Sequence, residues 1–270
     1  MTHPIRVGVG GWSFAPWNKT FYPAGLPARR QLEYMSRAMT AIEVNATYYS
    51  SFKPATFARW AAESPDDFVF SLKAHRSATV RKTPADMKKS ISLFLGQGLT
   101  QLKDKLGPIN WQFPPTRNFD AEYFQAFLSQ LPAEKDGLRL RHALEVRGAG
   151  FEAPAFTQLL SRYGATVVWA DAEEFPQVRH ADSGFAVARI MRARSAQPAG
   201  YTPAEIAGYA QLLRGWAASQ DVFAFFISGA KERNPAAAVA LQQMLTTKLQ
   251  AKVKAKAKAK PAMRKAAKHK

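Results

Sequence analysis

The chain has 270 residues, 47% of them hydrophobic, enough to bury a sizeable core as two modest domains or as one α/β barrel. It contains no cysteine, which excludes disulfides, thiolate zinc sites and thiol nucleophiles. The formal net charge of +18, from 38 Lys+Arg against 20 Asp+Glu, favours anionic partners.

Eight β-like runs follow one another along the chain. They are "IRVGVGG" (5–11), "AIEVNA" (41–46), "FVFSLKA" (68–74), "PINWQF" (108–113), "HALEVR" (142–147), "ATVVWAD" (165–171), "FAVARI" (185–190) and "VFAFFI" (222–227). Helical periodicity fills most of the gaps, over 27–39, 54–64, 86–106, 120–131, 153–164, 203–219 and 234–249. Many of these segments open on Pro, Asp or Asn, as helix starts do. The connection 172–184 carries no clear helical pattern and reads as irregular. Eight strands alternating with helices over this length predict a single (β/α)₈ TIM-type barrel across residues 1–247. An open doubly wound sheet is the alternative, but "GVGGWS" lacks the G-x-G-x-x-G spacing of a dinucleotide turn.

Residues 248–270 are different in kind. They hold nine Lys and one Arg with no acid, leaving 28 bases against 20 acids, or +8, in the barrel segment. This Lys/Ala-rich stretch reads as a disordered basic tail that attracts DNA or RNA through counterion release, or serves only to keep the chain soluble. The N-terminus "MTHPIRVGVGG" has no apolar leader, and the longest apolar run is too short to cross a bilayer. A cytoplasmic protein with no transmembrane segment is expected.

Strand side chains alternate with period two, and here the alternation sorts polar from apolar. Glu43 and Asn45 oppose Ile42 and Val44; Ser71, Lys73 and His75 oppose Phe70, Leu72 and Ala74. Asn110 and Gln112 oppose Ile109 and Trp111, while Glu145 and Arg147 oppose Leu144 and Val146. In a barrel the apolar sets meet the helices, so the polar sets point inward, toward the C-terminal mouth where barrel enzymes place their sites. Asp171 and Arg189 are assigned to the same polar floor. Two readings compete: a self-neutralising interior, with Glu145 and Arg147 as one pair, or a ligand site. A polar network this large adds little stability over apolar packing, which favours the ligand site.

Lys73, Arg147 and Arg189 suit an anionic small molecule or a nucleic-acid phosphate, oriented by Asn45 and Gln112, with Trp12 and Tyr48 available for stacking. Glu43 and Glu145 are the candidate acid/base groups, with His75 as a further proton-transfer group. Glu145, Asp171, Glu43 and His75 form an oxygen-rich set open to Mg²⁺ or Mn²⁺, but the three bases compete for those carboxylates, so no cofactor is expected. No G-x-S-x-G elbow, P-loop or H-E-x-x-H motif is present. Three functions stay open: an enzyme acting on a phosphate- or sugar-bearing substrate, a non-catalytic binding module, and an interaction protein with an inert interior.

The segments "GVGGWSFAPWNKTFYP" (8–23), "IEVNATYYSSFKPATFARWAAESPDDFVFSLKAHR" (42–76), "GPINWQFPPTRNF" (107–119), "LEVRG" (144–148) and "VVWAD" (167–171) together resemble the YecE-like family, a domain of unknown function. The resemblance covers about residues 5 to 245. It implies a TIM-like barrel similar to sugar-isomerase and endonuclease-IV-type barrels, with no established activity and a phosphate- or nucleic-acid-related role entertained. It also implies that Trp12, Glu43, Asn45, Tyr48, Lys73, Gln112, Glu145, Arg147 and Asp171 lie near the pocket. Two departures stand out: Met191 replaces the family's strand-seven His, and Ile227-Ser228 replaces its Asn-Asn ending of strand eight.

Overall fold

The computed structural model describes residues 2–178 and 182–246. The Lys/Ala-rich segment 248–270 lies outside the described residues. Eight parallel strands close into a barrel in sequential order. They are β1 (Ile5–Gly10), β2 (Ala41–Val44), β3 (Val69–Lys73), β4 (Leu106–Gln112), β5 (His142–Glu145), β6 (Thr166–Ala170), β7 (Phe185–Ile190) and β8 (Asp221–Phe226). Strand β8 returns to β1 with Val222 opposite Ile5, so no edge is left unpaired. The TIM-type barrel read from the strand-helix alternation is the fold of this chain.

Among the described residues, seven helices of eight residues or more pack around it: α1 (Gln31–Ala38), α2 (Pro54–Glu63), α3 (Pro84–Leu95), α4 (Ala121–Leu128), α5 (Pro154–Tyr163), α6 (Pro203–Trp216) and a helix over residues 234–246, α7. Four of them start with Pro in the first turn, where the missing N–H costs nothing. Thr83 and Asp120 cap α3 and α4 by accepting from the Asp86 and Tyr123 N–H groups. Thr202 and Glu205 form a reciprocal capping box on α6. The helix expected over 86–106 is broken: α3 ends at Leu95, and Leu99–Lys105 holds short 3₁₀ turns separated by a kink at Lys103 (φ 54°). Gly98, at φ 86°, adopts a left-handed conformation that terminates the α-helical path. As expected, β6 and β7 are joined without a helix among the described residues. A small hairpin (Glu134–Lys135 with Leu138–Arg139) precedes β5.

Two apolar layers result. The outer one, between strands and helices, takes Ile42, Val44, Phe70, Leu72, Ile109, Trp111, Leu144 and Val146, the apolar sets of the alternation. The inner one is a small plug of Ala41, Val69, Ala143, Val168, Phe185, Val187, Phe223 and Phe225. Above Ala41, Val69 and Ala143 on their strands stand Glu43, Lys73 and Glu145, so the interior changes from apolar to polar toward the mouth. In the outer layer, buried His142 is locked as one neutral tautomer: Nδ1 accepts from Trp111 Nε1 (3.1 Å), leaving Nε2–H to donate to Pro132 O (2.8 Å). Burial pushes its pKa down to about 4. Among the described residues no helix is long and apolar enough to cross a membrane.

Candidate functional site

The centre of the polar floor is a four-residue junction drawn from four strands. The Arg189 guanidinium, 3% exposed, donates through Nη1 to Glu145 Oε1 (2.6 Å) and through Nη2 to Glu43 Oε1 (3.2 Å). Asn110 Nδ2 spans the same two acids, donating to Glu145 Oε2 (2.9 Å) and Glu43 Oε2 (3.3 Å). Gln112 Nε2 adds a third donor to Glu145, on Oε1 at 2.6 Å. Both carboxylates are thus held between one cation and shared amides, with Glu43 0% and Glu145 1% exposed. Burial pushes the Glu145 carboxyl up, but Arg189, Lys73, Asn110 and Gln112 outweigh it and hold the group below the ordinary carboxylate range. Burial likewise works against the Arg189 charge, and the two acids more than restore it.

Arg189, from β7, takes the place at Glu145 that the self-neutralising reading of the interior gives to Arg147. The Arg147 guanidinium instead lies over the Phe175 ring, 5.0 Å from its centroid, half-buried at the rim. Phe175 belongs to the irregular β6–β7 connection, and nothing in the sequence marked it as a platform.

Lys73 closes β3 and is 7% exposed, yet among the described residues no hydrogen bond or ion pair reaches its ammonium. Its contact is the Tyr48 ring, with Nζ 4.8 Å from the centroid. Burial lowers its pKa; Glu43 and Glu145 pull it back up, while Arg189 and Arg147 push it further down. Its backbone is pinned by Thr47 Oγ1, which donates to Lys73 O (2.7 Å), and Ala74 N–H, which donates to Asn110 O (2.9 Å). Thr47, four residues after Glu43, thus clamps the lysine strand.

Other expected residues sit nearer the rim. Asn45 is half-buried, over Gly10; a Cβ on Gly10 would lie 2.6 Å from Asn45 Nδ2, so only glycine leaves that amide its place. His75 accepts at Nδ1 from Ser77 N (3.3 Å) and sits 2.8 Å from Ser77 Oγ, which leaves Nε2 for solvent or a ligand. Trp12 packs edge-on against Trp60 of α2 at 5.2 Å, so that face of its indole serves the outer core. Phe14 and Trp17 carry Lys231, whose Nζ is 4.5 and 5.7 Å from their ring centroids.

Asp171 does not join the junction. The inward positions of β6 are Val168 and Ala170, so Asp171 shares the outward side with Trp169, which stacks edge-on against Trp216 of α6. Its carboxylate accepts from Met191 N (2.6 Å) and from Tyr209 Oη (2.5 Å), tying β6 to β7 and α6. Burial raises its pKa against those donors. Placing it on the polar floor followed its strand-end position; its parity decides otherwise.

An Mg²⁺ or Mn²⁺ ion fits this donor set poorly. Glu43 and Glu145 already share one guanidinium and one amide, Asp171 faces the helices, and His75 is turned to Ser77. An ion would have to displace Arg189, a fixed charge of the same sign. Among the described residues, no three His, Asp or Glu side chains are grouped as metal ligands.

The family model for proteins of unknown function called DUF72 matches residues 6–263. The chain belongs to the DUF72 family. The DUF72 family protein of Thermotoga maritima MSB8 superposes with a TM-score of 0.70 at 21% identity, covering 92% of this chain and 100% of that one. A DUF72 family protein of Enterococcus faecalis V583 also reaches 0.70, at 18% identity, over 90% of this chain and 95% of that one. UPF0759 protein YunF of Bacillus subtilis (strain 168) is 26% identical over 116 residues, 41% of this chain and 40% of that relative. At these identities the likeness to solved DUF72 structures speaks for the barrel alone.

Met191 supplies its backbone N–H to Asp171, and Ile227 closes the inner apolar plug beside Gly10. Ser228 donates to Asn234 Oδ1 (2.6 Å) at the start of α7.

Proposed function

We propose that this DUF72 barrel binds a small anionic molecule, phosphate- or carboxylate-bearing, at its C-terminal mouth. The observation that carries the reading is the Lys73 ammonium: nearly buried, without a hydrogen-bonding partner, and beside acids already engaged by Arg189. Glu43 and Glu145 offset Arg189 and Lys73, so Arg147 at the rim leaves an excess of one positive charge. A largely buried lysine whose accessible ammonium has no protein hydrogen-bond partner among the described residues, with a planar guanidinium nearby, is the kind of set that holds a phosphate or carboxylate. Asn45 and Gln112 supply amides for orientation, Tyr48 an aromatic wall, and His75 Nε2 and Glu43 the proton-transfer groups. Glu145, ionised and fully hydrogen-bonded, orients Arg189 and is ill-suited to give up a proton. A self-satisfied interior would leave no donors open, and Lys73 argues against it.

The test is melting temperature against inorganic phosphate, sulfate and phosphorylated sugars. A saturable rise in wild type that is lost in Lys73→Met and reduced in Arg147→Ala supports the reading; no rise with any of the anions sinks it.

A further inference from the structure

Lys73 has an environment that goes further than charge. An ammonium that only balances carboxylates sits against them; here Arg189 occupies that position and bonds both acids, while Lys73 reaches neither within ion-pair distance. Its head is walled by the Tyr48 ring on one side, and its backbone is clamped by Thr47 and Asn110. It stands at the C-terminal end of a barrel strand, below a rim that carries Arg147. The groups facing it come from β2 (Glu43), β5 (Glu145), the rim just beyond β5 (Arg147), β7 (Arg189) and the Tyr48 turn.

Resting on the anion-binding reading of the same pocket, we propose that the Lys73 amine forms an imine with an aldehyde or ketone that carries a phosphate or carboxylate. The Nζ lone pair adds to the carbonyl carbon as the C=O π pair moves to oxygen. The nitrogen gives up a proton and the oxygen takes one, giving a carbinolamine. The C–O bond then breaks as the nitrogen lone pair forms C=N, and the second nitrogen proton leaves with the hydroxyl as water, so amine and carbonyl yield imine and water with no oxidant or reductant. Arg147, at the rim, holds the anionic group and so places the carbonyl near Nζ. Burial and the two neighbouring guanidiniums favour the uncharged amine that this addition needs, against the opposite pull of Glu43 and Glu145. An ordinary lysine at neutral pH is uncharged only about one time in a few thousand, so the uncharged amine is the scarce species and a lowered pKa raises its share at Lys73.

The experiment uses the full chain and pyridoxal 5′-phosphate, an aldehyde bearing a phosphate, trapped with borohydride and mapped by peptide mass spectrometry over time. Pyridoxal without the phosphate, and pyruvate trapped with cyanoborohydride, are run in parallel. The phosphate-induced melting shift is measured on the same sample. The expected result is labelling of Lys73 at least tenfold faster than the median lysine, suppressed by inorganic phosphate and slower with pyridoxal. Labelling by pyruvate instead of the phosphorylated aldehyde also supports the proposal and assigns the anion as a carboxylate. A phosphate-induced melting shift without Lys73 labelling overturns the imine and keeps the anion site. Neither shift nor labelling overturns both, and equal labelling by pyridoxal and its phosphate overturns the anionic requirement.

Discussion

Arg189→Met is the sharpest test of the junction, because Arg189 is the only cation bonded to either buried acid among the described residues. Removing one partner of a buried ion pair typically costs about 3–5 kcal/mol, since the remaining charge stays desolvated. For a domain of this size, that corresponds to a fall in melting temperature of roughly 6–20 °C. The pH dependence carries the stronger information. In wild type, Glu145 is held below its unfolded value, so its contribution is complete above the ordinary carboxyl range and is lost as pH falls through the folded value. In Arg189→Met, burial dominates and Glu145 is pushed above its unfolded value, so that contribution returns as pH falls. The assay is urea unfolding followed by tryptophan fluorescence at pH 7.5 and pH 5, comparing variant with wild type at each pH so that other titrations cancel. The loss should be at least ~1 kcal/mol smaller at pH 5, less than one pKa unit's worth. Adding Glu43→Gln and Glu145→Gln should recover most of it. A loss under ~1 kcal/mol at pH 7.5, or one that grows at pH 5, would refute the argument.

His142, buried neutral with its pKa near 4, should make wild type lose stability as pH drops from about 6.5 toward 4, by up to ~3 kcal/mol. The native state refuses a proton that the unfolded chain accepts, and His142→Gln, which can still accept from Trp111 and donate to Pro132, should flatten that slope in pH-dependent unfolding curves. Gly10→Ala puts a methyl where Asn45 Nδ2 now lies, so the phosphate-induced melting shift should fall with little change in circular dichroism. Thr202→Ala removes the α6 capping box and should cost about 1 kcal/mol by urea denaturation, without altering phosphate binding. Truncation after Thr247 should abolish most non-specific duplex-DNA binding in a salt titration, reducing the log–log slope by up to about nine if all ten tail cations engage phosphates.

Much of this molecule was legible from local pattern. Strands were identifiable because period-two alternation is a property of each short segment, and eight of them separated by helical stretches leave few architectures besides a closed barrel. Glu43, Asn110 and Glu145 could be placed inside for the same reason. Where local signals conflicted, they misled: the helix over 86–106 is interrupted because Gly98 takes a left-handed turn that apolar periodicity does not report. Asp171 looked inward by its strand-end position, but Val168 and Ala170 hold the inner parity of β6.

Composition and period by themselves determined the barrel, its polar inner face and the uneven placement of positive charge. Only closure of the barrel decided which cation meets which acid. Arg189 and Glu145 are 44 residues apart and Arg189 and Glu43 146 apart, separations no local spacing encodes. Arg147, two residues from Glu145, lost that pairing because its side chain leaves the strand at the rim and finds Phe175. Tertiary structure alone therefore left Lys73 without an ion pair among the described residues: ion pairing in a buried interior goes to the cation that the fold places in reach of the acids, and β7 places Arg189 there.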